Sequence, residues 1–199
     1  IENLVLPEVR EVQLDNGIPV YIINMGTQPV IKLEVMFFAG RPYEHKKLAS
    51  RATLGLLKEG VSTADSAAIA EHFDFYGSSL SFPFNLDTSN IVLYSLGKYF
   101  DRVLPLFTEL LTQPTFPEEE LQRFIKRNRQ RLQVDLQKND LVAYRQITED
   151  LFGSDHPYGY NSYLDTYERL ERADLIRHFE RHYNSKNAVV ILSGRVEER

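Results

Sequence analysis

Between Ile31 and Leu80 the apolar residues change period, and that change limits the folds open to the chain more than any other feature. Ile31, Leu33, Val35 and Phe37 alternate with Lys32, Glu34, Met36 and Phe38, which predicts a strand with one well-buried face, closed by Gly40. From Lys47 to Lys58 the spacing becomes helical, with Leu48, Ala52 and Leu56 on one stripe, and Gly60 is expected to supply a left-handed stop. Ser62 with Asp65 reads as a variant capping box. It opens a helix that carries Ala68, Ile69, Phe73 and Tyr76 and stops at Gly77.

Strand signals flank this block. Val9–Leu14 and Ile18–Ile23 enclose Asp15-Asn16-Gly17, and Asn-Gly tolerates the positive φ angles of a tight hairpin. Leu80–Asn85 and Ser89–Leu96 form a second antiparallel pair around Leu86-Asp87-Thr88. Phe100–Thr112 reads as a helix, and Pro114 and Pro117 break it. Pro117-Glu118-Glu119-Glu120 then starts a long helix to about Gln137. Leu141–Leu151 is the next helix, followed by the aromatic loop His156-Pro157-Tyr158-Gly159-Tyr160, the helix Ala173–Tyr183 and a closing strand Ala188–Ser193. The sum is an α+β fold, an antiparallel or mixed β-sheet covered by stacked helices.

With 199 residues, 43% of them hydrophobic, the chain is long enough to bury a core and reads as a single domain over residues 1–199. A net charge of −5 argues against nucleic acid as a partner. The local basic run Arg123, Lys126, Arg127, Arg129 and Arg131 follows Glu118–Glu120 on one helix and reads as a solvated, partly self-paired face. The lack of cysteine excludes disulfides, thiolate metal sites and a cysteine nucleophile, while leaving the compartment open. No apolar run approaches the roughly 20 residues of a membrane helix. The first residue is Ile1 rather than Met, which reads as a processed or excised piece.

The order of these pieces, from Val35 to Gly77, resembles the first half-domain of the pitrilysin/insulinase-type zinc peptidases, inverzincins that include the processing-peptidase subunits and carry H-x-x-E-H on the first helix. Gln113-Pro114-Thr115-Phe116-Pro117 is similar to the family's step into its long helix, and His156-Pro157-Tyr158-Gly159 to its "HPYG" loop. His182-Tyr183-Asn184 with Ala188–Gly194 resembles its closing motif and strand. Aligning the family's helix-end Gly with Gly60 places the first metal His on Arg51, the Glu base on Leu54 and the second His on Gly55. The third ligand falls on Gln133, in the window Gln130–Val134, which holds no carboxylate. Arg has no lone pair to give zinc, Leu has no proton to move, and Gly has no side chain.

The resemblance therefore implies a non-catalytic half-domain, excised from a longer chain, that holds no cofactor of its own. Zinc would sit only in an active partner half, in the same or another chain. This half would wall a peptide-binding chamber or assemble with the active half, and the parent assembly would be a metallopeptidase acting on peptides.

Other residues offer alternatives. His178 and His182 are four apart on a helix and could share a metal if a third ligand came from elsewhere, giving a hydrolase with a relocated site. The blander reading places both in a last helical turn, where the helix dipole favours a cationic His. His72 has Glu71 and Asp74 beside it, but immediate neighbours point to different faces, so it reads as part of an exposed face. His156 reads as a turn and packing element, and His45 stands in the Arg41–Lys47 loop without a companion ligand. No serine stands in a G-x-S-x-G elbow, and no glycine-rich phosphate loop is present. A pure scaffold subunit is the third reading.

Overall fold

The computed structural model describes residues 7–196. Its strands are β1 (Arg10–Gln13), β2 (Pro19–Asn24), β3 (Val30–Phe37), β4 (Ser79–Ser81), β5 (Ser89–Leu96) and β6 (Ala188–Gly194). The helices are α1 (Ala49–Leu56), α2 (Ser66–Phe75), α3 (Phe100–Thr112), α4 (Glu118–Asp135), α5 (Asn139–Phe152), α6 (Leu164–Glu168) and α7 (Arg172–His182). One sheet runs in the order β1-β2-β6-β3-β5-β4. β2 and β6 are parallel and the other neighbours antiparallel, so the sheet is mixed.

The alternation in β3 does what its period requires. Ile31, Leu33, Val35 and Phe37 are buried. Leu33 stands opposite Leu93 and Leu192, and Val35 opposite Ile91 and Val190, so three strands present one apolar face. That face joins a core with Leu48, Leu54 and Leu56 around α1, Phe107 and Leu110 from α3, Leu121 from α4 and Leu175 from α7. On the opposite face, the Lys32 ammonium lies 2.6 Å from the Glu34 carboxylate, and Asn90 Nδ2 donates to Glu34 at 2.6 Å. Burial works against the Glu34 carboxylate, but these two partners hold it below its usual range.

Several local expectations change. The first helix is shorter than Lys47–Lys58, because α1 spans Ala49–Leu56 and a 3₁₀ turn takes Leu57–Glu59. Gly60 is not a left-handed stop. Its φ of 165° is extended backbone, and it is small for lack of room, since a Cβ there would lie 2.7 Å from Thr115 Oγ1. The Ser62–Asp65 capping box does not form. Asp65 alone caps α2, accepting from the Ala68 amide at 2.9 Å, while Ser62 Oγ turns to Glu109 at 2.7 Å. The strand expected over Leu80–Asn85 is cut to Ser79–Ser81, with an isolated bridge from Phe84 to Ser89. Pro83, which has no N–H to donate, stands in the gap. α4 ends at Asp135, two residues before the expected Gln137.

The entry into α1 is organised by a buried carboxylate. Leu48, at φ +75°, adopts a left-handed conformation that costs a β-carbon residue about 1–2 kcal/mol. Glu44 reaches over this turn and accepts from Leu48 N at 3.3 Å, Ser50 N at 2.9 Å, Ser50 Oγ at 2.5 Å and Tyr160 Oη at 2.7 Å. Two of these donors are amides that the start of α1 leaves without a helical partner. Burial pushes the Glu44 carboxyl up despite its four donors, and it pushes the Tyr160 hydroxyl up beside it. Glu44→Gln replaces one accepting oxygen by an amide that meets donors. It is expected to destabilise the fold by about 1–3 kcal/mol, measured as a lower midpoint in urea unfolding.

His178 is wholly buried, with Nε2 3.0 Å from the Ala39 carbonyl. Burial pushes its pKa down from 6.5 to about 4. The unfolded chain binds a proton at this residue below pH 6.5, whereas the folded chain stays neutral until about 4. Stability present above pH 6.5 is therefore lost as pH falls to 4, by up to about 3 kcal/mol. His178→Gln, which keeps a donor for Ala39, is expected to flatten the urea midpoint between pH 4 and 6.5.

Candidate functional site

The helix face that would carry an inverted zinc motif is α1, packed between α4 and α7. Leu54 is 1% exposed and belongs to the central core. Gly55 faces the Phe124 ring of α4, whose Cε2 would lie 3.3 Å from a Cβ at that position. A β-carbon there would require the ring to give way slightly, and a longer side chain would have to find room beside it. Arg51 is half-buried, and Gln133 is exposed on the last turns of α4. A permanent cation, a core leucine, a glycine against an aromatic ring and an exposed amide do not fit a zinc ion.

The nearest carboxylate on this part of α4 is Asp135, one residue beyond the window that the alignment defines. It is paired with cations: Lys138 Nζ lies 2.9 Å away and Arg131 Nε 3.7 Å away. The Lys138 hydrogen bond, reinforced by the charges of Lys138, Arg131 and Arg51, holds the Asp135 carboxyl below its usual range. Positive charge from side chains thus surrounds the acidic group in this region of α1 and α4.

The His156–Tyr160 loop is locked to the turn ahead of α1. The Arg41 guanidinium carbon lies 4.4 Å from the centre of the Tyr160 ring, and Arg41 Nη1 donates to the Pro157 and Tyr160 carbonyls, both at 3.3 Å. Tyr158 Oη donates to Asp87, tying in the β4–β5 connection. Tyr158 N donates to His156 Nδ1 at 3.1 Å, and the His156 ring stacks on Phe152 at 5.4 Å. These His156 contacts are local, as the turn reading expects. The Arg41–Tyr160–Glu44 cluster was not readable from the sequence, because Tyr160 lies 119 residues from Arg41 and 116 from Glu44 in the chain.

The His178 and His182 rings do share a face, with centroids 4.8 Å apart. The Nε2 of His178 is engaged by Ala39, while its buried Nδ1 has no hydrogen-bond partner. His182 packs on Tyr43 at 5.6 Å, and burial, helped by the charge of Arg181, pushes its pKa down rather than up. A cationic His at the end of α7 is not what this environment favours. His45, expected to stand alone, has Nε2 3.4 Å from Asp174, although Lys46 approaches that carboxylate more closely, at 2.6 Å. Among the described residues, no group of three or more His, Cys, Asp or Glu side chains is placed to hold a metal ion. His72 on α2 is half-buried, with Nε2 3.2 Å from the Arg102 carbonyl.

The basic run on α4 is partly self-paired, as expected. Arg123 bonds to Glu120 and lies 3.5 Å from Glu119, and Arg129 lies 2.7 Å from Glu168. Among the described residues, no helix is long and apolar enough to cross a membrane.

No known family profile and no curated protein sequence matches the chain. Solved structures do. The peptidase M16 inactive domain from Pseudomonas fluorescens is 25% identical, with a TM-score of 0.90 over 96% of this chain and 47% of its own. A protease from Helicobacter pylori is 18% identical, with a TM-score of 0.87 over 97% of this chain and 48% of its own. The periplasmic protease PqqL from Escherichia coli is 16% identical, with a TM-score of 0.83 over 98% of this chain and 23% of its own. The chain thus spans 47–48% of the first two structures and a smaller share of the third. The mixed sheet, the helices laid on one of its faces and these three superpositions give the chain the fold of an M16-peptidase half-domain.

Proposed function

We propose that this chain is a zinc-ligand-less half of an M16-type peptidase, serving as the second wall of a peptide-binding chamber beside an active half. The observation that carries this reading is the use made of α1. Leu54 and Gly55, at the positions a catalytic half would give to a base and a ligand, are committed to packing against the core and Phe124. The likeness to a solved inactive M16 domain at a TM-score of 0.90 supports it. So does the chain's coverage of 47% of that protein, which leaves room for a second half.

In this reading the mechanism is steric and electrostatic. The active half cuts, and this half closes the space around an extended peptide, which admits unfolded segments and excludes folded domains. No step of bond cleavage falls to a residue of this chain. Zinc belongs to the partner half, whose ligands would come from its own first helix.

The purified chain is expected to hydrolyse none of a panel of unstructured peptides, and to raise the rate at which its active half cleaves them. Turnover by the chain alone would contradict the reading. Failure to change the active half's rate would instead favour a scaffold subunit without peptide contact. Leu54→Glu, which restores the acidic residue of the motif, buries an unpaired carboxylate. It is expected to cost about 3–5 kcal/mol, seen as a large loss of urea resistance without gain of activity.

A further inference from the structure

Helix α5 is amphipathic in the wrong sense for a helix that belongs to a core. Among its residues none is buried. The side turned toward its own chain, with half-buried Leu141, Arg145, Thr148 and Glu149, is held by polar contacts: Arg145 Nη2 donates to the Ser162 carbonyl at 2.8 Å, and Asn161 Nδ2 donates to the Arg145 carbonyl at 3.0 Å and to Glu149 at 2.8 Å. The side turned away carries Tyr144, Ile147 and Leu151, which are 66%, 55% and 72% exposed. Spacings of three and four residues put these side chains on one stripe, roughly 10 Å long at 1.5 Å per residue. A globular helix buries such a stripe and exposes its charged face.

From this we infer that the Tyr144–Ile147–Leu151 stripe is the seat of the second half of the molecule. The inference rests on the proposed pairing of halves and adds the surface on which they meet. A body of the right size is called for, because two of the solved structures that this chain overlays are about twice its length, with 47% and 48% covered. Leu136, at the end of α4 just before α5, is 40% exposed as well. Asp140 and Asp150 are exposed on the same helix. They call for a partner surface with an apolar centre and a basic rim, in the usual arrangement of a protein interface.

The chain lacks cysteine, which makes the test direct. Tyr144→Cys, Leu151→Cys and, as a control on α3, Asp101→Cys are introduced one at a time into the native assembly that carries this chain, and maleimide labelling is read on the peptide that contains each position. Cysteines at 144 and 151 are expected to label about tenfold or more slowly than the one at 101, since reaction has to wait for the halves to part. Leu151→Glu is expected to release this half from its partner during gel filtration while the circular dichroism of this half stays unchanged.

Labelling at 144 and 151 as fast as at 101 would overturn the inference, as would an assembly that survives Leu151→Glu or a native preparation in which this chain is alone. Each of those results leaves the non-catalytic reading standing. Peptidase turnover by this chain would remove that reading whatever the labelling shows.

Discussion

The closing strand β6 is the contact on which the remaining architecture depends. It lies between β2, with which it runs parallel, and β3, with which it runs antiparallel, so it joins the N-terminal hairpin to the rest of the sheet. Without it, β1 and β2 would be an isolated hairpin, which is marginal in water. Both partners lie in the first 37 residues and β6 begins at residue 188, so the sheet closes only after nearly all of the chain is available. Such non-local pairing demands loop-closure entropy before it returns any burial. The helices between β5 and β6 supply the return: α7 leads into β6 and packs on α1, whose Leu54 and Leu56 share one core with the apolar face of β3.

Contacts at both ends fix the position of α1. Here α1 and α4 are joined by packing of Gly55 on Phe124, and the Asp135 carboxylate nearby is surrounded by cationic side chains. The start of α1 has its own tie in Glu44, which collects two backbone amides, a serine hydroxyl and the Tyr160 hydroxyl from a loop far along the chain. A helix held at both ends by such contacts needs no ion for its position.

Much of the fold was legible because period and punctuation agree. The alternation in β3, the Asn16-Gly17 turn, the helix Phe100–Thr112 and the Pro117 start of α4 each occur as expected, and of the two sheet types their order left open the mixed one is formed. The errors fell where tertiary contacts decide. Gly60 looked like a helix stop but is small because Thr115 lies against it, and Ser62 left its capping role for Glu109. At the candidate site the alignment could name Arg51, Leu54 and Gly55. It could not show that Asp135, just outside the expected window, is surrounded by cations, because this depends on side chains from separate turns and helices. Nor could it show that His45 reaches Asp174 across the fold. The exposed stripe of α5 has the spacing of a core helix, and sequence periodicity says nothing about which side of a helix meets its own chain.

The most direct test of the account is the zinc content of the purified chain, measured by mass spectrometry after exposure to zinc and thorough buffer exchange. The account predicts well under one zinc per chain, since Arg51, Leu54, Gly55 and Gln133 provide no ligand set. One tightly held zinc per chain would contradict it. If that zinc were lost in the His178→Ala, His182→Ala double variant, the metal site would lie at the end of α7 instead.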